Sequence, residues 1–245
     1  MKKLIVAIAL LMPGVAHAAF PVIEGTNTYA TDTDATSHVI PLPTGVAEDD
    51  LLLIWWCSDH SSDEVTAPAG WKTSVYIPEN SSAIVGVLLY KVAGASETNP
   101  TVTIANAESA SAISFRVSGY SRFVPGGVST PVAVVNSSSN GPSDLDVMAA
   151  EDIVWIGLTA WDSAVRSMST YPANYTTNTV ESRGTISNAV GVAAAWRNLN
   201  ASSEDIGDFV ISGADQRISM AIAILPPATG GGGGSASKIY SQVRP

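Results

Sequence analysis

The chain has 245 residues, with 22 acidic side chains against 12 basic ones, and only 14% of its residues are charged. Duplex binding rests chiefly on Lys and Arg neutralising phosphates, and no basic cluster follows Lys2 and Lys3, so the composition argues against a nucleic-acid partner. One cysteine, Cys57, cannot close an internal disulfide, so stability must come from an apolar core that a chain of this length is able to bury.

Residues 1–18 read as a cleavable secretory signal. Lys2 and Lys3 form a positive start, residues 4–12 are apolar, Pro13-Gly14 breaks the segment, and Ala16-His17-Ala18 is an A-x-A-like processing site. The apolar stretch is about half of the roughly 20 residues a spanning helix needs. Processing leaves 10 basic against 22 acidic residues, a formal charge of −12. The expectation is a secreted protein, extracellular or on the cell surface after periplasmic transit, with no transmembrane segment. Cys57 lies far from the new terminus, so a lipidated terminal cysteine is not expected.

From there the periodicity predicts strands almost throughout, because short runs rich in Val, Ile, Thr, Trp and Tyr alternate with clusters of Ser, Asn, Gly and Pro. The predicted strands of the first half cover residues 37–42, 50–57, 72–77, 83–92, 101–104 and 112–120. Those of the second half cover 144–148, 153–161, 175–180, 189–196, 208–211 and 218–225.

The halves resemble each other. Ala47-Glu48-Asp49 matches Ala150-Glu151-Asp152, and Pro68-Ala69-Gly70-Trp71 matches Pro172-Ala173-Asn174-Tyr175. Val85-Gly86-Val87 matches Val190-Gly191-Val192, and Ile113-Ser114 matches Ile218-Ser219, with offsets of 103 to 105. A half of about five strands with one apolar face has nothing to cover it, so two such halves are expected to close on each other. The fold class that follows is all-β: a two-layer antiparallel β-sandwich, jelly-roll-like, built from two internally similar halves at about 19–123 and 124–227 of a single domain. Residues 228–245 form a Gly-rich linker and a tail carrying Lys238, Tyr240 and Arg244 with no acidic residue. The tail is either a loose end or a peptide that docks on a partner, for instance as an added strand.

Glu48-Asp49-Asp50-Leu51-Leu52-Leu53, then Pro68-Ala69-Gly70-Trp71, then Leu89-Tyr90-Lys91-Val92-Ala93-Gly94 form a pattern. Over residues 20–225 it resembles the jelly-roll-type β-sandwich modules of phage virion proteins and bacterial extracellular adhesin-like proteins. The resemblance implies a non-catalytic structural, oligomerising or surface-binding unit. A secretory signal departs from virion proteins and favours an envelope, extracellular-filament or matrix component.

The chain carries no Gly-x-Ser-x-Gly, His-Glu-x-x-His, phosphate-loop or paired-cysteine pattern, so an enzyme is not expected. Beyond the signal only His38 and His60 remain. The densest polar group is Asp59-His60-Ser61-Ser62-Asp63-Glu64, after an apolar strand. Asp59, His60, Asp63 and Glu64 are candidate ligand-binding residues, for calcium through carboxylate oxygens or for a glycan. A solvated turn is the competing reading, so no cofactor is required and calcium is the one candidate metal. Trp55, Trp56, Trp155 and Trp196 sit in apolar runs and are expected in the core or in packing between sheets, whereas Trp161, near a strand end, is a candidate for stacking on a sugar. The leading function is an exported, non-catalytic module that self-associates or attaches to a surface protein. A carbohydrate-binding lectin-like module is the alternative, ahead of a polysaccharide-active enzyme.

Overall fold

A computed structural model of the chain describes residues 19–59, 65–78, 84–126 and 137–227, and among them there are strands and no helix. The strands of the first half are β1 (Val22–Val39), β2 (Leu51–Ser58), β3 (Val65–Thr66), β4 (Lys72–Pro78), β5 (Val85–Val92) and β6 (Thr101–Ser118). The second half contributes β7 (Arg122–Gly126), β8 (Ser137–Asn140), β9 (Leu145–Trp161), β10 (Met168–Thr170), β11 (Thr179–Arg183), β12 (Gly191–Glu204), β13 (Phe209–Asp215) and β14 (Arg217–Leu225).

They form two facing antiparallel sheets and a small third one. The first sheet has the order β1-β6-β2-β5-β4, with β3 also on β6; the second runs β11-β12-β9-β14-β7; the third is β10-β13-β8. The chain completes one layer before it starts the other. Pairing β2 with β9, β5 with β12, β6 with β14, β4 with β11 and β1 with β7 makes the two orders identical. The matched sequence turns match in conformation too. Gly70 and Asn174 both take positive φ, 80° and 67°, while Trp71 N–H donates to Pro68 O at 2.9 Å and Tyr175 N–H to Pro172 O at 3.0 Å. The likeness to a jelly roll extends to two facing antiparallel sheets; strands do not pass back and forth between them.

The alternation of side chains along a strand divides the core. Leu51, Leu53, Trp55 and Cys57 of β2 meet Val154, Ile156, Leu158 and Ala160 of β9 and Ile218, Met220 and Ile222 of β14 between the sheets. Polar bonds cross that layer as well, among them Trp55 Nε1–H to Thr159 O at 3.0 Å, Ser111 Oγ–H to Val190 O at 2.7 Å, and Ser109 Oγ–H to Asn188 O at 2.9 Å. Each satisfies a group that would otherwise be buried without a partner. Cys57 is a free, fully buried thiol, and burial pushes its pKa well up.

One expectation is overturned here. Each half was expected to have a single apolar face, but Leu52, Ile54 and Trp56 point the other way and pack under Ile40, Leu42, Trp71, Val102 and Ile104. In the second sheet, Ile153, Trp155, Ala221 and Ala223 pack under Tyr175, Ile206 and Phe209. Strands covered on both faces read as unbroken apolar runs rather than as alternation, which is the character of Leu51-Leu52-Leu53-Ile54-Trp55-Trp56-Cys57.

Strand extents differ from expectation as well. β1 is an 18-residue strand where only its end was expected, and it pairs along β6 from Val22↔Ser118 to Val39↔Thr101. β6 and β9 are each continuous where two strands were expected.

Candidate functional site

The expected ligand loop is reached at Asp59, just past β2. Its backbone N–H donates to Ser109 O at 3.3 Å, and its carboxyl hydrogen-bonds the carboxyl of Asp162, the residue that follows β9. Two carboxyls share a hydrogen bond only when one holds the proton. Burial, aided by the nearby charges of Glu108 and Asp34 and opposed by the hydrogen bond to Asp162, pushes the Asp59 pKa up to about 6. This joins the matched ends of the two central strands. His60, Asp63 and Glu64 lie outside the described residues, as do Lys238, Tyr240 and Arg244 of the tail. Among the described residues no group of three or more His, Cys, Asp or Glu side chains is placed to hold a metal ion.

Trp161 is a correction. It is fully buried, its Nε1–H donates to Arg166 O at 3.1 Å, and its ring lies against Gly191, where a side chain would overlap it. It offers no face to a sugar. The His38 imidazole is buried as well, with Nδ1 3.1 Å from Tyr29 Oη and its ring against Trp56, and burial lowers its pKa.

The two flanks of the sandwich differ. On one flank β1 lies against β11, where Ser182 Oγ–H donates to Tyr29 O at 2.6 Å and Thr185 donates to the Asp32 carboxylate through both N–H and Oγ–H. The Thr185 bonds hold the exposed Asp32 carboxyl below its usual range. On the other flank β4 and β7 are the terminal strands, each paired on one side only among the described residues.

Two clefts open along the closed flank. One, of about 400 Å³, is lined by Thr28, Ala30, Glu181, Ser182, Arg183 and Thr185. The other, of about 440 Å³, is lined by Val22, Ile23, Thr177, Asn178, Trp196 and Asn198, together with Pro21 and Arg197. Trp196 packs against the inter-sheet core, as expected, edge-to-face with Phe115 at 6.1 Å between centroids, but the residue is only partly buried and lines the cleft. The sequence signal for this was the switch from Ala193-Ala194-Ala195 to Arg197-Asn198, which marks where β12 leaves the core.

No helix among the described residues is long and apolar enough to cross a membrane. Comparison with known proteins returned no matching family model, no matching curated protein and no matching solved structure.

Proposed function

We propose that this chain is an exported, non-catalytic β-sandwich that assembles with copies of itself or attaches to another surface protein, as a filament, envelope, matrix or virion component. The observation that carries this reading is the unequal pair of flanks. One is tied shut by side-chain bonds from β1 to β11 and to Thr185 just past it, while the other leaves β4 and β7 paired on one side only among the described residues. An open strand edge presents a row of N–H and C=O groups that an extended segment of a partner can complete. β4 also exposes Tyr76, an apolar surface beside that edge.

Charge supplies the second support. The tail residues Lys238, Tyr240 and Arg244 are basic and aromatic on an otherwise acidic chain. The folded body gathers Asp34, Asp59, Glu108 and Asp162 at one end. A tail from one copy therefore has a complementary surface on the next, and the reading needs no cofactor. The absence of the common hydrolase and metal motifs from the sequence favours a non-catalytic role. The signal-like residues 1–18 favour export.

Size-exclusion chromatography with light scattering and electron microscopy of the processed protein, with and without residues 235–245, tests this. Concentration-dependent oligomers that weaken on truncation are expected. A monodisperse monomer in both forms at high concentration would overturn the reading.

A further inference from the structure

We infer that the Trp196 cleft is a binding subsite for a neutral saccharide, with the indole as the platform and Asn178, Asn198 and Thr177 as the polar contacts. The inference does not depend on self-assembly, which the closed flank does not serve.

Three observations lead there. The cleft holds about 440 Å³, within the roughly 300–1,000 Å³ of small-molecule sites. Its one aromatic residue is fixed before any ligand arrives. Trp196 lies edge-to-face with Phe115, its backbone N–H donates to Asn178 O at 3.0 Å, and it packs on the inter-sheet core. A pyranose has one face of polarised C–H groups that suits the negative face of an aromatic ring, while its rim of hydroxyls needs both donors and acceptors. Two amides and a threonine hydroxyl supply both kinds.

Charge decides which saccharide. Arg197 lines the cleft, but its guanidinium is 2.5 Å from the Glu204 carboxylate and 5.0 Å from the centre of the Tyr175 ring. In the second cleft along the same flank, Arg183 and Glu181 pair at 3.1 Å. Both cations are therefore compensated, and the flank offers no surplus positive charge to a sulfate or uronate. On a chain with a formal charge of −10, acidic glycans are further disfavoured by the long-range field. The second cleft adds the Thr28 hydroxyl along the same seam, with the Ser182 and Thr185 oxygens as acceptors only, since their protons are given to Tyr29 O and the Asp32 carboxylate. Thr28 lies five residues beyond Ile23 on β1, about 17 Å at 3.3–3.4 Å per residue, so an oligosaccharide laid along β1 spans both clefts.

The test is titration of the processed full chain with neutral tetrasaccharides of β-linked glucose, β-linked N-acetylglucosamine and α-linked mannose. The readout is two-dimensional ¹H–¹⁵N NMR, with the Trp196 indole peak identified by its loss in Trp196→Phe. At least one series is expected to shift that peak saturably, together with the amides of Thr177, Asn178 and Asn198. Trp196→Ala weakens binding by about tenfold or more, which corresponds to about 1.4 kcal/mol. Trp196→Phe keeps an aromatic platform and part of the affinity, and Asn198→Ala, an exposed change, weakens binding several-fold with the fold intact. A uronic-acid tetrasaccharide binds no better than the neutral ones. If Trp196→Ala fails to fold, Trp196→Phe and Asn198→Ala decide. The inference is overturned if no neutral sugar shifts these peaks at roughly 10 mM, a concentration that detects even millimolar affinity. Shifts that cluster elsewhere, or persist unchanged in the folded variants, overturn it equally.

Discussion

The first and second sheets share a strand order but cover their outer faces in different ways. Over the first sheet the cover is made from its own members: Val102 and Ile104 belong to β6, Ile40 and Leu42 continue β1, and Trp71 joins them. Over the second sheet Tyr175 and Ile206 are joined by a separate sheet, β10-β13-β8, seated through Phe209 and held by Arg217, whose guanidinium donates to Ser138 O at 3.1 Å and Phe209 O at 2.8 Å. Similar central strands can thus be buried either by lengthening the neighbours or by adding an independent lid. The two solutions should open differently.

The largest expected effects come from truncating each cover. Phe209→Ala and Trp71→Ala should each cost about 3–5 kcal/mol in urea unfolding. Native-state hydrogen exchange separates them: Phe209→Ala speeds exchange in β8, β10 and β13 ahead of β9 and β12, whereas Trp71→Ala speeds β1 and β6 along with the rest of their sheet. Equal spread in both variants would break the distinction. Next come the matched glycines. A Cβ on Gly86 would sit 2.7 Å from the outer ring of Trp55, while one on Gly191 would overlap Trp161, itself pinned by its bond to Arg166 O. Gly191→Ala is expected to cost about 2–3 kcal/mol and Gly86→Ala about 1–2 kcal/mol, readable in chemical denaturation midpoints. Smaller again, Gly70→Ala places a side chain at positive φ and should cost about 1–2 kcal/mol, whereas Asn174→Gly at the matched turn should change stability by only a few tenths of a kcal/mol.

The carboxyl pair at the matched strand ends sharpens the comparison by pH. Asp59 has a folded pKa of about 6 against an ordinary value of 3.8, so the folded state holds the proton more tightly. The stabilisation this brings is fully present below 3.8 and is lost as pH rises through about 6. Asp59→Asn, a permanent stand-in for the protonated acid, should raise Tm above pH 6, with the gain shrinking as pH falls towards 4. A gain independent of pH across that window would count against a shared proton. His38 acts in the opposite sense, since its lowered pKa makes folding less favourable as acid charges the unfolded imidazole.

Much of this architecture was written in local patterns. The runs at residues 51–57, 153–161 and 218–225 became central strands, and the Pro-x-Gly/Asn-aromatic turns at residues 68–71 and 172–175 share a conformation. What escaped was set by distant partners. Most of β1, Gly-Thr-Asn-Thr-Tyr-Ala-Thr-Asp-Thr-Asp-Ala-Thr-Ser, has the polarity of a loop, and it is a strand because the whole length of β6 offers it a ladder. Trp161 looked exposed because a turn follows it, yet Gly191, thirty residues on, leaves the space into which it folds. Trp196 packs on the inter-sheet core as its neighbours suggest, but its partial exposure comes from the strand leaving the core there. The candidate cleft therefore depended on how the sheets end, which no stretch of neighbouring residues encodes.

Because the chain finishes one layer before beginning the next, the nascent polypeptide passes through an awkward interval. By Ser118 every strand of the first sheet has been made, while Leu51, Leu53, Trp55 and Ile113 still lack the residues that will cover them. The first covering strand, β9, is complete by Trp161, but the last, β14, arrives about a hundred residues after Ser118, roughly 5–20 s at 5–20 residues per second. For that time the half-built molecule is a sticky apolar plate, and pairing of two such plates from different chains competes with completion of either. Delayed folding, by a chaperone or by passage through a translocation channel, would spare the cell that competition.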